Sequence, residues 1–270
     1  MTPQTFASPT PLPAWRRAVQ TRGFIAVRTF ALFVAVWWLA HLWNANPLQL
    51  PSPSSVFEAI QELLASGELL EHAAISTERL ALALLIAIAL AVPLGFAMGL
   101  STRLEAYVDP MVELLRPISG IAWIPLGLFI FGIGDTLPVF IMVYVSFFPL
   151  LLNTVAGVRQ VDGRLVAAAR TMGVGRVAML RHVIAPAALP TVMVGVRLAF
   201  AGAWAAIVAA ELIGAPSGLG FAIEWNRQLL MTAHVFAFIL VIGVVGYLCD
   251  MALRRLQRGL TPWSDGTGLV

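Results

Sequence analysis

Long stretches of this chain carry no charge. No charged residue occurs in Leu80–Thr102, Pro117–Gly134, Thr136–Val158 or Gln228–Cys249. A helix needs about 20 apolar residues to cross a bilayer, and a run of ~18 or more without charge nominates a span. Two further regions fit. Thr29–Trp43 is apolar and extends back to Phe24, and Ala185–Ile213 is apolar except for Arg197 and Glu211. Six spans are therefore expected, and helices are the natural choice because each closes its own backbone hydrogen bonds in lipid. Composition agrees. Charged residues make up 11% and hydrophobic residues 59%, against about 25% and about 45–50% in soluble domains. The fold class expected is all-α, a polytopic membrane protein.

Several chemistries are excluded by residue type. The 17 basic residues are all arginine, so there is neither a Walker A loop nor a Schiff-base lysine. The lone cysteine, Cys249, rules out an intrachain disulfide and multi-cysteine metal sites. His41, His72, His182 and His234 show no metal spacing, and no metal site is expected. The net charge is only +3, so the arginines read as topology signals rather than a nucleic-acid face.

Their placement sets the orientation. Arg16, Arg17 and Arg22 precede the first span, and Arg254, Arg255 and Arg258 follow the last. Arg103 and Arg116 flank the connection between spans two and three. Arg159, Arg164, Arg170, Arg176 and Arg181 crowd the one between spans four and five. With six spans these all fall on the cytoplasmic side. Asn44–Glu78 carries five glutamates and no base, as an external segment should. Both termini are expected in the cytoplasm. The expected organisation is a cytoplasmic tail over 1–23, a membrane domain over 24–257 and a cytoplasmic tail over 258–270. The first span is too long for a signal peptide and lacks a clean cleavage site. Trp37, Trp38 and Trp43 suit an interfacial belt.

Inside the spans, Gly95-x-x-x-Gly99 and the small residues from Gly195 to Gly202 predict close helix packing. In the external segment, Val56, Ile60, Leu63 and Leu64 recur at helical spacing opposite Glu58 and Glu62. This predicts a short surface helix after Pro51-Ser52-Pro53-Ser54.

The most informative segment is the connection 162–186. Asp162 can cap a helix at Arg164, and Gly173 can end it. Leu165, Ala168 and Met172 share one face. Gly175 allows a turn before a second piece, Arg176–Ile184, expected to stop at Pro186. A short helix of small residues is thus offered at the cytoplasmic side, with Arg164 and Arg170 on its surface.

These residues resemble the "EAA" motif of ABC-importer permeases. That pattern is Glu-Ala-Ala, three residues, Gly, nine residues, Ile, one residue, Leu-Pro. Here it reads Ala167-Ala168-Ala169, Gly173, Val183 and Ala185-Pro186. Leu151-Leu152-Asn153-Thr154, Gly195-Val196-Arg197, Ala209-Ala210-Glu211-Leu212-Ile213 and Gly218-Leu219-Gly220 are similar to the taurine, sulfonate, nitrate and bicarbonate importer group. The tail Leu260-Thr261-Pro262-Trp263 is most like its taurine-type members. The resemblance covers roughly 45–263. Ala167 departs from the motif's Glu and Ala185 from its Leu; the Gly and Pro spacing is intact.

The resemblance implies a type I importer permease fold and a permease subunit that is not an enzyme. It implies a homodimer with the path between the copies, two cytoplasmic ATPase subunits and an external substrate-binding protein. The chain itself then needs no cofactor, ATP and magnesium being held by the ATPase. The ATPase-coupling residues it implies are Arg164, Leu165, Ala167, Ala168, Ala169, Arg170, Met172, Gly173 and Pro186. The solute implied is a small anion such as taurine, another sulfonate or nitrate, with bicarbonate and heterocyclic precursors open.

Ionisable residues within spans are paired or functional. Arg197 is a candidate for the pathway or for an ion pair with Glu113 or Asp250. Glu211, near the outer end of the same span, is a candidate gate or helix-pair contact. Asn153 and Thr154 are expected to bridge helices. Glu224, Asn226 and Arg227 lie in the last external connection, where a binding protein can dock or water can solvate them. A stand-alone secondary transporter is the alternative, but no internal symmetry between the halves supports it. An intramembrane protease or acyltransferase lacks a His cluster or a Ser/His pair.

Overall fold

The computed structural model describes residues 22–44, 46 and 49–263. The arginines at 16 and 17, most of the expected 1–23 tail and the residues after Trp263 lie outside them. The described residues form helices joined by short turns, with no strand among them. In chain order these are α1 (Arg22–Asn44), α2 (Pro53–Ser66), α3 (Glu68–Leu100) and α4 (Thr102–Leu115). A 3₁₀ turn (Gly120–Trp123) leads into α5 (Ile124–Phe131), followed by α6 (Thr136–Arg159) and α7 (Gly163–Thr171). α8 (Arg176–Met179) continues through a π turn (Leu180–Ile184) into α9 (Ala185–Gly214). α10 (Leu219–Gln228) and α11 (Thr232–Leu260) complete the chain.

Four helical stretches are long and apolar enough to cross a membrane: α3, α6, α8 through α9, and α11. α4 with the 3₁₀ turn and α5 makes a fifth if counted together, but the pair is bent by 83°. α1 covers the first expected span with 23 residues and is not among these five.

Three expectations need correction. Pro117–Gly134 is not a straight span: its only α-helix, α5, has 8 residues, about 12 Å at 1.5 Å per residue. The chain instead rises through α4, the stretch expected as a cytoplasmic connection. It breaks at Arg116–Ser119 and turns. Secondly, α3 begins at Glu68, twelve residues before the expected start. At 33 residues it is about 50 Å long, well beyond a ~30 Å hydrocarbon core. Its first turns therefore form a post outside the apolar layer, with Glu68, Glu71 and Glu78 on it. Thirdly, Pro186 does not stop a helix. It occupies the first turn of α9, where its missing N–H is tolerated, and the π turn before it carries the chain through without a break.

α6 is the central helix, held between α3 and α9. The glycine spacing works as expected. A Cβ on Gly95 would lie 2.6 Å from the Thr154 Cβ, and one on Gly99 would lie 2.7 Å from the Val158 Cβ. On the other side, a Cβ on Gly195 would lie 2.7 Å from the Asn153 Cβ. Asn153 and Thr154 thus stand at helix contacts, but they do not bridge by hydrogen bonds. Asn153 Nδ2 donates to Pro149 O at 2.7 Å and Thr154 Oγ1 to Leu150 O at 2.7 Å, both within α6.

The expected surface helix is α2. Ser52 caps it, accepting from Ser55 N at 3.1 Å, and Gly67 ends it. Val56 and Leu63 are buried as expected, Ala59 joins them, and Leu64 is exposed. Trp43 is exposed, as a belt residue should be, whereas Trp37 turns inward and stacks on Phe236 of α11.

Candidate functional site

At the arginine-rich end, the segment 162–173 folds as its sequence dictates. Asp162 accepts from Arg164 N at 2.8 Å and so caps α7. Gly173 leaves the helix at φ +76°, a conformation that costs a side chain strain. Gly175 starts α8 at φ −69°, extended backbone that any residue adopts. Ala169 is buried with Val158, Met179, Ile184 and Ala188, and Val166 packs against them. Leu165, Ala167, Ala168 and Met172 face away from the protein and are exposed, with Arg164 and Arg170 beside them. The inner face of α7 therefore glues it to the foot of α6 and α9. Its outer face presents alanines and two large apolar side chains with nothing on them.

The opposite end is organised by a residue with no role expected from the sequence. Arg79 of α3 is 5% exposed, and all five of its N–H donors are engaged. Nη1 donates to Glu211 Oε1 at 2.7 Å and to Ser217 O at 2.7 Å. Nη2 donates to Ser217 Oγ at 2.8 Å and to Asp135 Oδ1, which also accepts from Nε. Glu211 is fully buried and accepts in addition from Ser76 Oγ and, at 2.9 Å, from Gly220 N. Ser76 Oγ accepts from Leu219 N at 2.8 Å, and Gly218 N donates to His72 Nδ1 at 3.1 Å.

Gly218-Leu219-Gly220 acquires a physical role here. Gly218 sits at φ +105°, and a Cβ on it would collide with the Glu211 carboxylate. The backbone can therefore come close enough to donate to buried acceptors. The cluster ties α3, α9, the start of α6 and the turn into α10 into one body. Of the two readings for Glu211, the geometry is that of a helix-pair contact. Arg79 was hidden by its position. It directly follows Glu78, so it read as the edge of an external segment. The available signal was an arginine opening one span and an acid closing another.

Arg197 meets a carboxylate, Asp250 of α11, with Nε 3.4 Å from Oδ1. Asp250 also pairs with Arg254, one helical turn on; Glu113 is not the partner. Glu224, Asn226 and Arg227 lie on α10 rather than in an open loop. Asn226 is buried and donates to Ala222 O at 2.9 Å. Glu224 is held by Arg227 Nε at 2.7 Å and Gln228 Nε2 at 3.0 Å, and these bonds lower its pKa to about 2.

The helical arrangement is found in a solved transporter. A chain in inward-facing structures of the MetNI methionine ABC transporter matches with a TM-score of 0.59 at 19% identity. The match covers 69% of this chain and 93% of that one. It establishes a shared fold. Residues 83–262, from mid-α3 to the end of the described chain, match the binding-protein-dependent transport system inner membrane component family. The chain belongs to that family. It is an importer permease, a multi-pass inner-membrane transport component rather than an enzyme, and ATP hydrolysis is the task of a separate subunit.

The similarity to individual permeases extends over most of the chain. The chain is 37% identical to the taurine transport system permease protein TauC of Escherichia coli (strain K12), over 92% of this chain and 93% of that protein. It is 37% identical to the putative aliphatic sulfonates transport permease protein SsuC of Bacillus subtilis (strain 168), over 87% and 86%. It is 30% identical to the bicarbonate transport system permease protein CmpB of Synechococcus elongatus, over 93% of both.

Proposed function

We propose that this permease passes a small anion, a sulfonate of the taurine kind in the first instance, into the cytoplasm. The observation that carries the reading is 37% identity to a taurine permease over 92% of the chain. Aliphatic sulfonates and bicarbonate, named for two other relatives, are the next solutes to test. Two copies form the path between them, both termini lie in the cytoplasm, and an external binding protein delivers the solute at the end carrying Arg79 and α10. The alanine face of α7, with Leu165 and Met172, docks into a cleft on a cytoplasmic ATPase. Ala167 stands where the motif has Glu, so docking rests on packing, with Arg164 and Arg170 supplying any ionic contact. No observation favours a stand-alone secondary transporter.

The test is reconstitution with the partner ATPase and binding protein, followed by uptake of radiolabelled taurine, ethanesulfonate, bicarbonate and nitrate. ATP-dependent uptake of the sulfonates that needs the binding protein is the expected result. Uptake that proceeds without ATP would overturn the importer reading, and ATP-dependent uptake of nitrate or bicarbonate alone would replace the solute.

A further inference from the structure

Arg79, Arg116 and Arg197 differ in what neutralises them. Arg79 and Arg197 are paired with carboxylates. Arg116 is exposed and, among the described residues, has neither an ion pair nor a side-chain hydrogen bond. Its place is unexpected. The positive-inside count put it at the cytoplasmic edge, but it sits at the break between α4 and the 3₁₀ turn, beside the middle of α6.

The depth follows from what shares its surroundings. Arg116 lines a cavity of about 520 Å³ with Ser119, Tyr144, Phe148, Leu152 and Asn153. Tyr144 to Asn153 is the central part of α6, whose ends are Thr136 and Arg159. Tyr144 Oη donates to Leu115 O at 2.6 Å, pinning the break to α6 at that level. Irregular backbone at membrane depth is tolerated where it lines a cavity rather than facing lipid. An unpaired guanidinium there likewise needs water or an anion.

Other donors are also uncommitted. The Ser119 hydroxyl makes no hydrogen bond among the described residues, and Asn153 Nδ2 has spent one of its two hydrogens, on Pro149 O. A cation, a hydroxyl and an amide N–H line a cavity whose remaining walls are largely apolar. That is the chemistry of a site for a small, partly apolar oxyanion, such as a carboxylate or an alkyl sulfonate.

We infer that the cavity at the α4–α5 break is the half of the anion path contributed by one copy, with Arg116 as the residue that holds the anion. This rests on the reading above that an anion crosses between two copies. Arg197, paired to Asp250, is not that residue.

The test separates the path from the solute. In the reconstituted complex, with Cys249→Ser removing the lone thiol, Ser119→Cys is exposed to thiosulfonate reagents of equal size and opposite charge. Ile118→Cys is a second probe position on the same break. The anionic reagent is expected to react ~10-fold or more faster than the cationic one relative to their rates with a free thiol, because a positive path concentrates anions. Arg116→Gln should bring the ratio to near unity and Arg116→Lys should keep it. Thiols unreactive at both positions, or a ratio that ignores residue 116, would overturn the inference.

In parallel, Arg116→Gln should lower ethanesulfonate uptake by ~10-fold or more while binding-protein-stimulated ATP hydrolysis persists. Equal loss of uptake and hydrolysis would mean a structural role and would also overturn it. If the thiols report a positive path but the unmutated complex carries no sulfonate, the path stands and the proposed solute falls.

Discussion

Arg79 and Glu211 show what a charge in an apolar protein requires. Each is buried, each has every strong hydrogen-bonding position occupied, and the surplus negative charge of Asp135 is left at the surface. Removing one partner of such a pair costs about 3–5 kcal/mol, because the other stays buried without compensation. That is a large part of a typical stability of about 5–15 kcal/mol. Arg79→Ala and Glu211→Ala are therefore each expected to cut the yield of monodisperse protein in detergent and lower its thermal midpoint. Arg79→Lys should recover little, since an ammonium has three donors for five acceptor contacts. Gly218→Ala should behave like the pair mutants, and an unchanged midpoint there would remove the close backbone approach as a cause of stability. In the sequence Arg79 and Arg116 read as ordinary edge arginines, and Arg197 stands out inside a span with both a pathway and a pairing role open. Only the neighbours brought up by folding distinguish a bound strut, a free cation and a pair.

Among the elements, the α3–α6 contact makes the sharpest demand on sequence. Gly95 and Gly99 face Thr154 and Val158 at distances that exclude a Cβ without movement. Gly95→Val should overpack this contact at a cost of about 1–3 kcal/mol, seen as a lower midpoint, while Gly243→Val, with open space around it, should leave the midpoint near that of the parent. On α10, Glu224 ionises at about 2, below the usual carboxylate range. A group held down in this way contributes fully above its unfolded pKa of about 4.5 and loses the contribution as pH falls toward 2. Any docking that uses the Glu224–Arg227 pair should therefore be constant from pH 5 to 8, as measured by binding-protein affinity for the reconstituted complex. The glycine spacing and the surface helix were legible because each follows from local periodicity. The 83° break was not, because an apolar run of 18 residues looks the same whether it crosses straight or turns against a neighbour.

For the whole molecule, the proposal of two copies and two ATPases makes a stoichiometry the first check. Native mass spectrometry of the purified complex should give two copies of this chain per two ATPases, and a single permease chain per pair would overturn the dimer. Coupling is the second. Gly173→Asp combined with disruption of Leu165–Met172 should leave membrane insertion unchanged, since the segment lies outside the spans. It should abolish ATPase association or leave hydrolysis running without uptake. Full uptake by that variant would exclude α7 as the coupling element.

Much of this protein follows from short-range properties of the chain. Charge-free runs make long apolar helices, and Asp162, the alanines and Gly173 build α7 from capping and backbone preference alone. These are local because each depends on a few adjacent residues and the solvent. The tertiary structure decided which arginines are neutralised, where Pro117–Gly134 bends, and that Arg116 stands on a cavity beside the middle of α6. Those outcomes depend on residues distant in sequence, Glu211 for Arg79, Asp250 for Arg197 and Tyr144 for the α4–α5 break, and no local pattern records such a meeting.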